Sequence, residues 1–245
     1  MPARRFVIVC PPRTGSTYLT ERLNSHPQIV CYGEILNAGG PYWHPAKQPD
    51  GFEGGLEEMQ ADPVAWIEAN WSAPSGDAEL VGFKMLERQA LLLAAQVEPY
   101  FQSMLDLAVI FLDRSNVVER MASLRMANKT GVWQRYKNHE IPDGEKIKIE
   151  PKDMETYLKT EPLPRLFTKR MFAKQRQITL DYDTMVAEPE KHDAMLCDFL
   201  GVEQVALQSR SQKIASKPLS EYFEDFDGLR RHFQGTPFQH FFEVD

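Results

Sequence analysis

Cysteine is scarce in this chain of 245 residues. Cys10, Cys31 and Cys197 are scattered with no metal-ligand spacing, which argues against a bound metal and suits a reducing, cytoplasmic compartment. Cys10 and Cys197 sit in apolar runs and read as buried thiols. No hydrophobic stretch reaches the roughly 20 residues of a membrane span. The N-terminal arginines precede only the short apolar run Phe6 to Cys10, too short for a signal peptide. Positive charge is not in excess: 28 Lys and Arg stand against 35 Asp and Glu, a net −7. That balance argues against non-specific binding to nucleic acid or acidic membranes, while a local anion site remains compatible with it. Internal repeats and low-complexity tracts are absent too. What is present, 42% hydrophobic and 26% charged residues, is ordinary globular composition, long enough for one α/β domain with a sizeable core.

The richest signal lies at the start. Phe6 to Cys10 is apolar and β-branched, so it reads as a buried strand. It runs into Pro11-Pro12-Arg13-Thr14-Gly15-Ser16-Thr17, after which Leu19 and Leu23 repeat at helical spacing. A strand, a short loop and a helix start form an anion site, because the free N–H groups and the dipole of the first turn favour negative charge. Ser16 and Thr17 add hydroxyls, and Arg13 adds a planar cationic fork. The loop is not a Walker A loop: Gly15 is followed by Ser16, and no lysine lies in it. The plainer reading is that Ser16 only caps a helix.

Leu105 to Leu112 is a second buried-strand candidate, ending in Asp113-Arg114-Ser115-Asn116 before a helix. Asn116 with Glu119 at N3 fits a capping box. Ser123 falls on the same helix face as Asn116 and Arg120, so Arg114 and Ser123 can converge on one anion. Gln177 to Tyr182 is a third strand, followed by Asp183 and a helix closing on Phe199-Leu200-Gly201. With a strand at 80–85, these elements alternate with helical segments, as in a parallel sheet covered on both faces. Arg13, Lys84, Arg114 and Tyr182 then sit at carboxyl ends of strands, where such folds bind ligands. The stretch at about 39–56, rich in Gly, Pro and aromatics, reads as a substrate-covering loop. The segment from about 131 to 161 is charged and reads as irregular.

The three motifs together resemble the sulfotransferases that use 3′-phosphoadenosine 5′-phosphosulfate (PAPS). Pro12-Arg13-Thr14-Gly15-Ser16-Thr17-Tyr18-Leu19 looks like their 5′-phosphosulfate loop, with Arg13 in the place of a loop lysine. Arg114 with Ser123 nine positions on is similar to their 3′-phosphate site, although the family's Arg-Asn-Pro signature is absent. Tyr182 matches a tyrosine that lies against the adenine; its alternative reading is a core aromatic. The likeness frames roughly residues 6–202 and is nearer to bacterial carbohydrate and nodulation-factor enzymes than to cytosolic animal ones. It implies a P-loop-like three-layer α/β/α fold in a single domain over 1–245. The implied cofactor-binding residues are Arg13, Thr14, Gly15, Ser16, Thr17, Arg114, Ser123 and Tyr182, with PAPS as donor, its bisphosphate as product, and no metal. The aromatics of the C-terminal region, Lys213 to Asp245, are expected to dock on the domain.

Sulfuryl transfer has the physical demands of phosphoryl transfer, positioning and charge stabilisation, which cationic side chains can meet. Arg13 is the first cation and Lys84 the second, unless Lys84 is a solvated surface charge. The histidine base of the animal enzymes is replaced by Leu86. Glu34, in Cys31-Tyr32-Gly33-Glu34-Ile35-Leu36, resembles the glutamate base of bacterial carbohydrate sulfotransferases. Its alternatives are an ion-pair partner of Arg13 or a helix-start carboxylate, with His44 as reserve base. Trp43, Trp71 and Tyr42 are stacking candidates for a small-molecule or carbohydrate hydroxyl acceptor. Two other readings stay open: a P-loop kinase using Asp113 as metal ligand, and a non-catalytic nucleotide-binding relative. Oligomeric state is left open, a homodimer included.

Overall fold

Short strands buried on both faces build the centre of this protein. The computed structural model describes residues 3–42, 55–72, 76–131, 133, 145–211 and 218–243. In chain order the elements are β1 (Arg4–Cys10), α1 (Ser16–Asn24), β2 (Ile29–Tyr32), α2 (Leu56–Ala61), α3 (Pro63–Trp71), β3 (Leu80–Leu86), α4 (Glu87–Leu92), α5 (Ala94–Ser103), β4 (Ala108–Asp113) and α6 (Val117–Thr130). There follow α7 (Pro151–Thr160), α8 (Pro162–Met171), β5 (Arg176–Asp181), α9 (Tyr182–Ala187), α10 (Pro189–Leu200), α11 (Leu219–Tyr222), α12 (Phe226–Phe233) and a 3₁₀ turn at Gln239–Phe242.

The five strands form one parallel sheet in the order β2-β3-β1-β4-β5. Successive side chains of a strand face opposite sides, and the two faces bury separate cores. Val7, Val9, Phe83 and Phe111 pack with Trp66, Trp71, Phe101 and Phe172 on one side. Phe6, Ile8, Ile110 and Leu180 pack with Leu19, Leu23, Leu196 and Leu200 on the other. This is the expected three-layer arrangement. The central strand β1 lies between β3 and β4, so its loop emerges in the crevice where the chain switches direction across the sheet.

Four expectations are corrected. β2 was absent from the predicted strands: Ile29–Tyr32 is only a four-residue run. The fourth strand begins at Ala108 rather than Leu105, which is 62% exposed. The fifth ends at Asp181, because Asp181 accepts from the N–H groups of Asp183 and Thr184 and caps a helix that Tyr182 opens. The segment 131–161 is not irregular throughout: α7 occupies Pro151–Thr160, with proline at its first position and Met154 and Leu158 buried, where a missing N–H costs nothing.

The C-terminal aromatics dock as expected. Phe223, Phe226, Phe233 and Phe242 form a third core with Val118 and Met121 of α6, and the rings of Phe233 and Phe242 stack at 4.7 Å. Asn116 Nδ2 donates to the Phe241 carbonyl, tying this layer to the start of α6.

Candidate active site

The loop after β1 is tightly wound. The Thr14 hydroxyl is buried and donates to the Pro11 carbonyl at 3.0 Å. Arg13 has φ +66°, and Gly15 has φ +74°. A left-handed residue other than glycine is strained by about 1–2 kcal/mol, and such strain concentrates at functional loops. Gly15 itself is the N-cap of α1, so Ser16 is the first helical residue and not the cap. The helix's own bonding starts at Leu19, whose N–H donates to the Gly15 carbonyl. The N–H groups of Ser16, Thr17 and Tyr18 therefore lack intrahelical acceptors, and no acidic side chain stands in the first turn.

Tyr182 covers this turn. A Cβ on Gly15 would fall 2.0 Å from the Tyr182 ring, so the two residues meet at a distance only glycine permits. Tyr18 meets the same ring edge-on at 6.2 Å, and the Arg114 guanidinium lies 5.7 Å from its centre. Tyr182 is 8% exposed, a buried aromatic set against the loop.

Two guanidinium groups meet here. Arg13 donates from Nε to Ser123 Oγ at 3.0 Å and from Nη1 to the Trp133 carbonyl. Burial and the neighbouring Arg114 charge both hold the Arg13 pKa below its ordinary value. Arg114 is 9% exposed, pairs with Glu119 at 2.6 Å and has Asp183 Oδ2 3.7 Å from Nε. Among the described residues that Nε has no hydrogen-bond partner. Ser123, expected to converge with Arg114 on one anion, bonds Arg13 in this structure. The capping box is changed. Asn116 caps α6 by accepting from Val118 and Glu119, while the Glu119 carboxylate turns to Arg114.

Lys84 is 5% exposed, which overturns the surface-charge alternative. Its ammonium lies 2.9 Å from Glu34 Oε1, so Glu34 pairs with Lys84 and not with Arg13. Glu34 stands just past β2, beside β3 in the sheet. The Cys10 thiol is pushed up to about 11 by burial, with Lys84 pulling it down and Glu34 pushing it up. Those influences place the ion pair next to the root of the anion loop, where Cys10 is the last residue of β1. His44 and Trp43, and most of the covering loop at 39–56, lie outside the described residues. Trp71 is corrected: it is 4% exposed and packs on Phe83 in the core. Tyr42 is 40% exposed.

Sequence reasoning missed three participants. Tyr18 carried no signal beyond its place in the loop motif. Gln89 donates from Nε2 to Glu34 Oε2 at 3.4 Å; its signal was a glutamine at N3 of a helix following a strand. A partly buried network also crosses the ends of β3 and β4. Arg165 meets Glu87 at 2.5 Å and Asp113 at 3.4 Å, and Asp113 also meets Arg120 at 3.5 Å. These residues come from distant segments, and no local pattern announces them. Burial pushes the Glu87 carboxyl up to about 7, against the pull of Arg165.

No family model matches the chain. It is 27% identical over 252 residues to Nodulation protein H of Rhizobium meliloti (strain 1021), covering all of this chain and 97% of that protein. With Nodulation protein H of Rhizobium tropici it shares 28% over 247 residues, covering 98% and 93%. The chain is similar to Nodulation protein H along its length. Among solved structures, a sulfotransferase from Alicyclobacillus acidocaldarius matches with TM-score 0.49 and 16% identity, covering 93% of this chain and 91% of that one. Mouse sulfotransferase SULT7A1 complexed with PAP matches with TM-score 0.46 and 14% identity, covering 98% and 88%. The resemblance to the PAPS-dependent sulfotransferases stands, carried by the motif residues and by similarity to Nodulation protein H.

Proposed function

We propose that this chain, similar to Nodulation protein H, transfers a sulfuryl group from PAPS to a hydroxyl of a carbohydrate or small-molecule acceptor. The observation that carries the reading is the pair of guanidinium groups, Arg13 and Arg114, gathered at the start of α1. The buried Arg114 Nε lacks a hydrogen-bond partner there among the described residues. Such a cluster fits an anionic ligand, because a charge-assisted bond would satisfy the orphan donor of Arg114, whose charge Glu119 and Asp183 already offset in part.

When bound, the donor supplies an activated sulfuryl group on a phosphate leaving group. Arg13, Thr14, Gly15, Ser16 and Thr17 hold its 5′ end, the backbone N–H groups of the first α1 turn pointing at the anion. Arg114 and Ser123 hold the 3′-phosphate. Tyr182, with Tyr18 at its edge, flanks the base. Glu34 accepts the proton of the acceptor hydroxyl, and Lys84 steadies negative charge on the departing oxygen. Pairing of Lys84 with Glu34 at 2.9 Å sets the cation and the base side by side. No metal enters this scheme. Asp113, the acid a P-loop kinase would use, is engaged by Arg120 and Arg165. A cytoplasmic setting fits three thiols that are all buried and free.

Thermal shift with adenosine 3′,5′-bisphosphate, ADP and Mg·ATP tests the donor site. Ligand at a hundred times its dissociation constant adds about 2.7 kcal/mol of stability. A shift that requires the 3′-phosphate, needs no metal and disappears in Arg114→Ala supports the reading. A shift with Mg·ATP alone overturns it. Transfer of labelled sulfate from PAPS to maltose, N-acetylglucosamine, a phenol and an aliphatic alcohol then sorts the acceptor class.

A further inference from the structure

Resting on the reading of Glu34 as the base, we infer that Gln89 is the positioning residue that fixes which oxygen of Glu34 meets the acceptor. Gln89 is the third residue of α4 and is 6% exposed. Its Oε1 accepts the Leu86 backbone N–H at 2.9 Å, capping the helix. That bond settles the amide's orientation, because only the oxygen end can accept from an N–H. The NH₂ end must therefore point away from the cap, and it reaches Glu34 Oε2 at 3.4 Å.

Glu34 is consequently gripped at both oxygens. Lys84 on β3 holds Oε1, and Gln89 on α4 holds Oε2. Among the described residues, the Cys10 thiol at the end of β1 feels both members of this pair, and the Cys31 thiol feels Lys84. Tyr42 pairs with the Glu34 backbone, its N–H donating to the Glu34 carbonyl at 3.0 Å. A carboxylate held this way cannot rotate about its terminal bond without losing one donor. Its lone pairs are aimed before the acceptor arrives, the condition under which a base acts efficiently. The cap that terminates β3 and the grip on Glu34 are made by one side chain. The strand end that carries Lys84 and the carboxylate of the adjoining strand are thereby locked in register.

Gln89→Glu separates these two roles. The new side chain keeps an oxygen for the Leu86 N–H, as glutamate does in a capping box, but presents an acceptor to Glu34 in place of a donor. Two facing carboxylates disfavour ionisation. The acid limb of the kcat profile, measured with the fastest acceptor of the four above and with acceptor-free hydrolysis of PAPS, should move to higher pH by about one unit. The bisphosphate dissociation constant should stay within about twofold of wild type, and the melting temperature should stay close to it. At pH 7 the Glu34 carboxyl signal in a protein labelled with ¹³C at glutamate Cδ, assigned by its loss in Glu34→Gln, should be displaced. Gln89→Leu removes cap and grip together, so it should lower both melting temperature and kcat, the latter by roughly 10–100-fold. An acid limb and a carboxyl signal that stay put in a folded Gln89→Glu protein would overturn the inference. Failure of the base itself looks different: Glu34→Gln would keep its turnover, whatever the carboxyl signal does in Gln89→Glu.

Discussion

The Lys84 ammonium and Glu34 Oε1 lie 2.9 Å apart at neighbouring strand ends, and the lysine side chain is only 6% exposed. The pair is a structural element as well as a chemical one. Lys84→Met leaves the carboxylate without its cation. It should cost about 1–3 kcal/mol in urea unfolding, the range for a partly buried polar group deprived of its partner.

Glu34→Gln keeps an oxygen facing Lys84, so its effect on stability should be smaller. Turnover should fall by roughly 10²–10⁴-fold, the usual contribution of a general base, while calorimetry with adenosine 3′,5′-bisphosphate should return the wild-type affinity. Loss of affinity in step with turnover would reassign Glu34 to donor binding.

Gly15 is required twice over, by φ +74° and by the Tyr182 ring. Gly15→Ala should destabilise by about 1–3 kcal/mol through strain and overpacking and should abolish bisphosphate binding. Combining it with Tyr182→Ala removes the clash but not the strained dihedral. The double variant should therefore be more stable than the two single losses added together. Strict additivity in a denaturation cycle would mean the loop gives way without touching the ring.

Arg114 and Ser123 should contribute unequally. Arg114→Ala removes a cation together with its charge-assisted bond, toward the upper end of roughly 1.5–3 kcal/mol, and Ser123→Ala removes one hydroxyl bond to the phosphate, toward the lower end of that range. Titrating the 3′,5′-bisphosphate against adenosine 5′-monophosphate isolates the effect. The preference for the bisphosphate should nearly vanish in the first variant and weaken several-fold in the second.

The Glu87 carboxyl, raised to about 7 by burial, gives stability a pH dependence. The folded state holds this proton more tightly than the unfolded chain does. The contribution is present in full below the carboxyl's unfolded pKa, near 4.5, and is lost as pH rises through about 7. Urea unfolding between pH 5 and pH 8 should show wild type weakening across that window more than Glu87→Gln does. Parallel slopes for the two proteins would assign the dependence to other groups.

Much of this was legible in the sequence, because strands β1, β3 and β4 are short, mostly apolar runs, and β1 and β4 enter loops with strong local chemistry. Arg13, Gly15, Arg114 and Ser123 could be named for that reason. β2 escaped because four residues between a proline-closed helix and a glycine give no periodicity to read. The burial of Lys84 was invisible, since a lysine at a strand end looks the same whether it meets water or a carboxylate from a neighbouring strand. Gln89, Glu87 and Arg165 depend on how α4 and α8 settle over the sheet ends, a long-range matter. Tyr182 was placed on the wrong element, because the Asp181 cap stops the strand one residue early.

The bond from Asn116 to the Phe241 carbonyl spans 125 positions of sequence, and it gives the site an order of completion in time. During synthesis, β1, its loop and α6 leave the ribosome long before Phe223, Phe233 and Phe242 exist to cover the apolar side of α6. Until those rings arrive, the helix that carries Ser123 has an uncovered flank and a less firmly held cap. A nascent chain should thus acquire its sheet first and its affinity for a doubly anionic nucleotide last, so that ligand capture reports the finished protein.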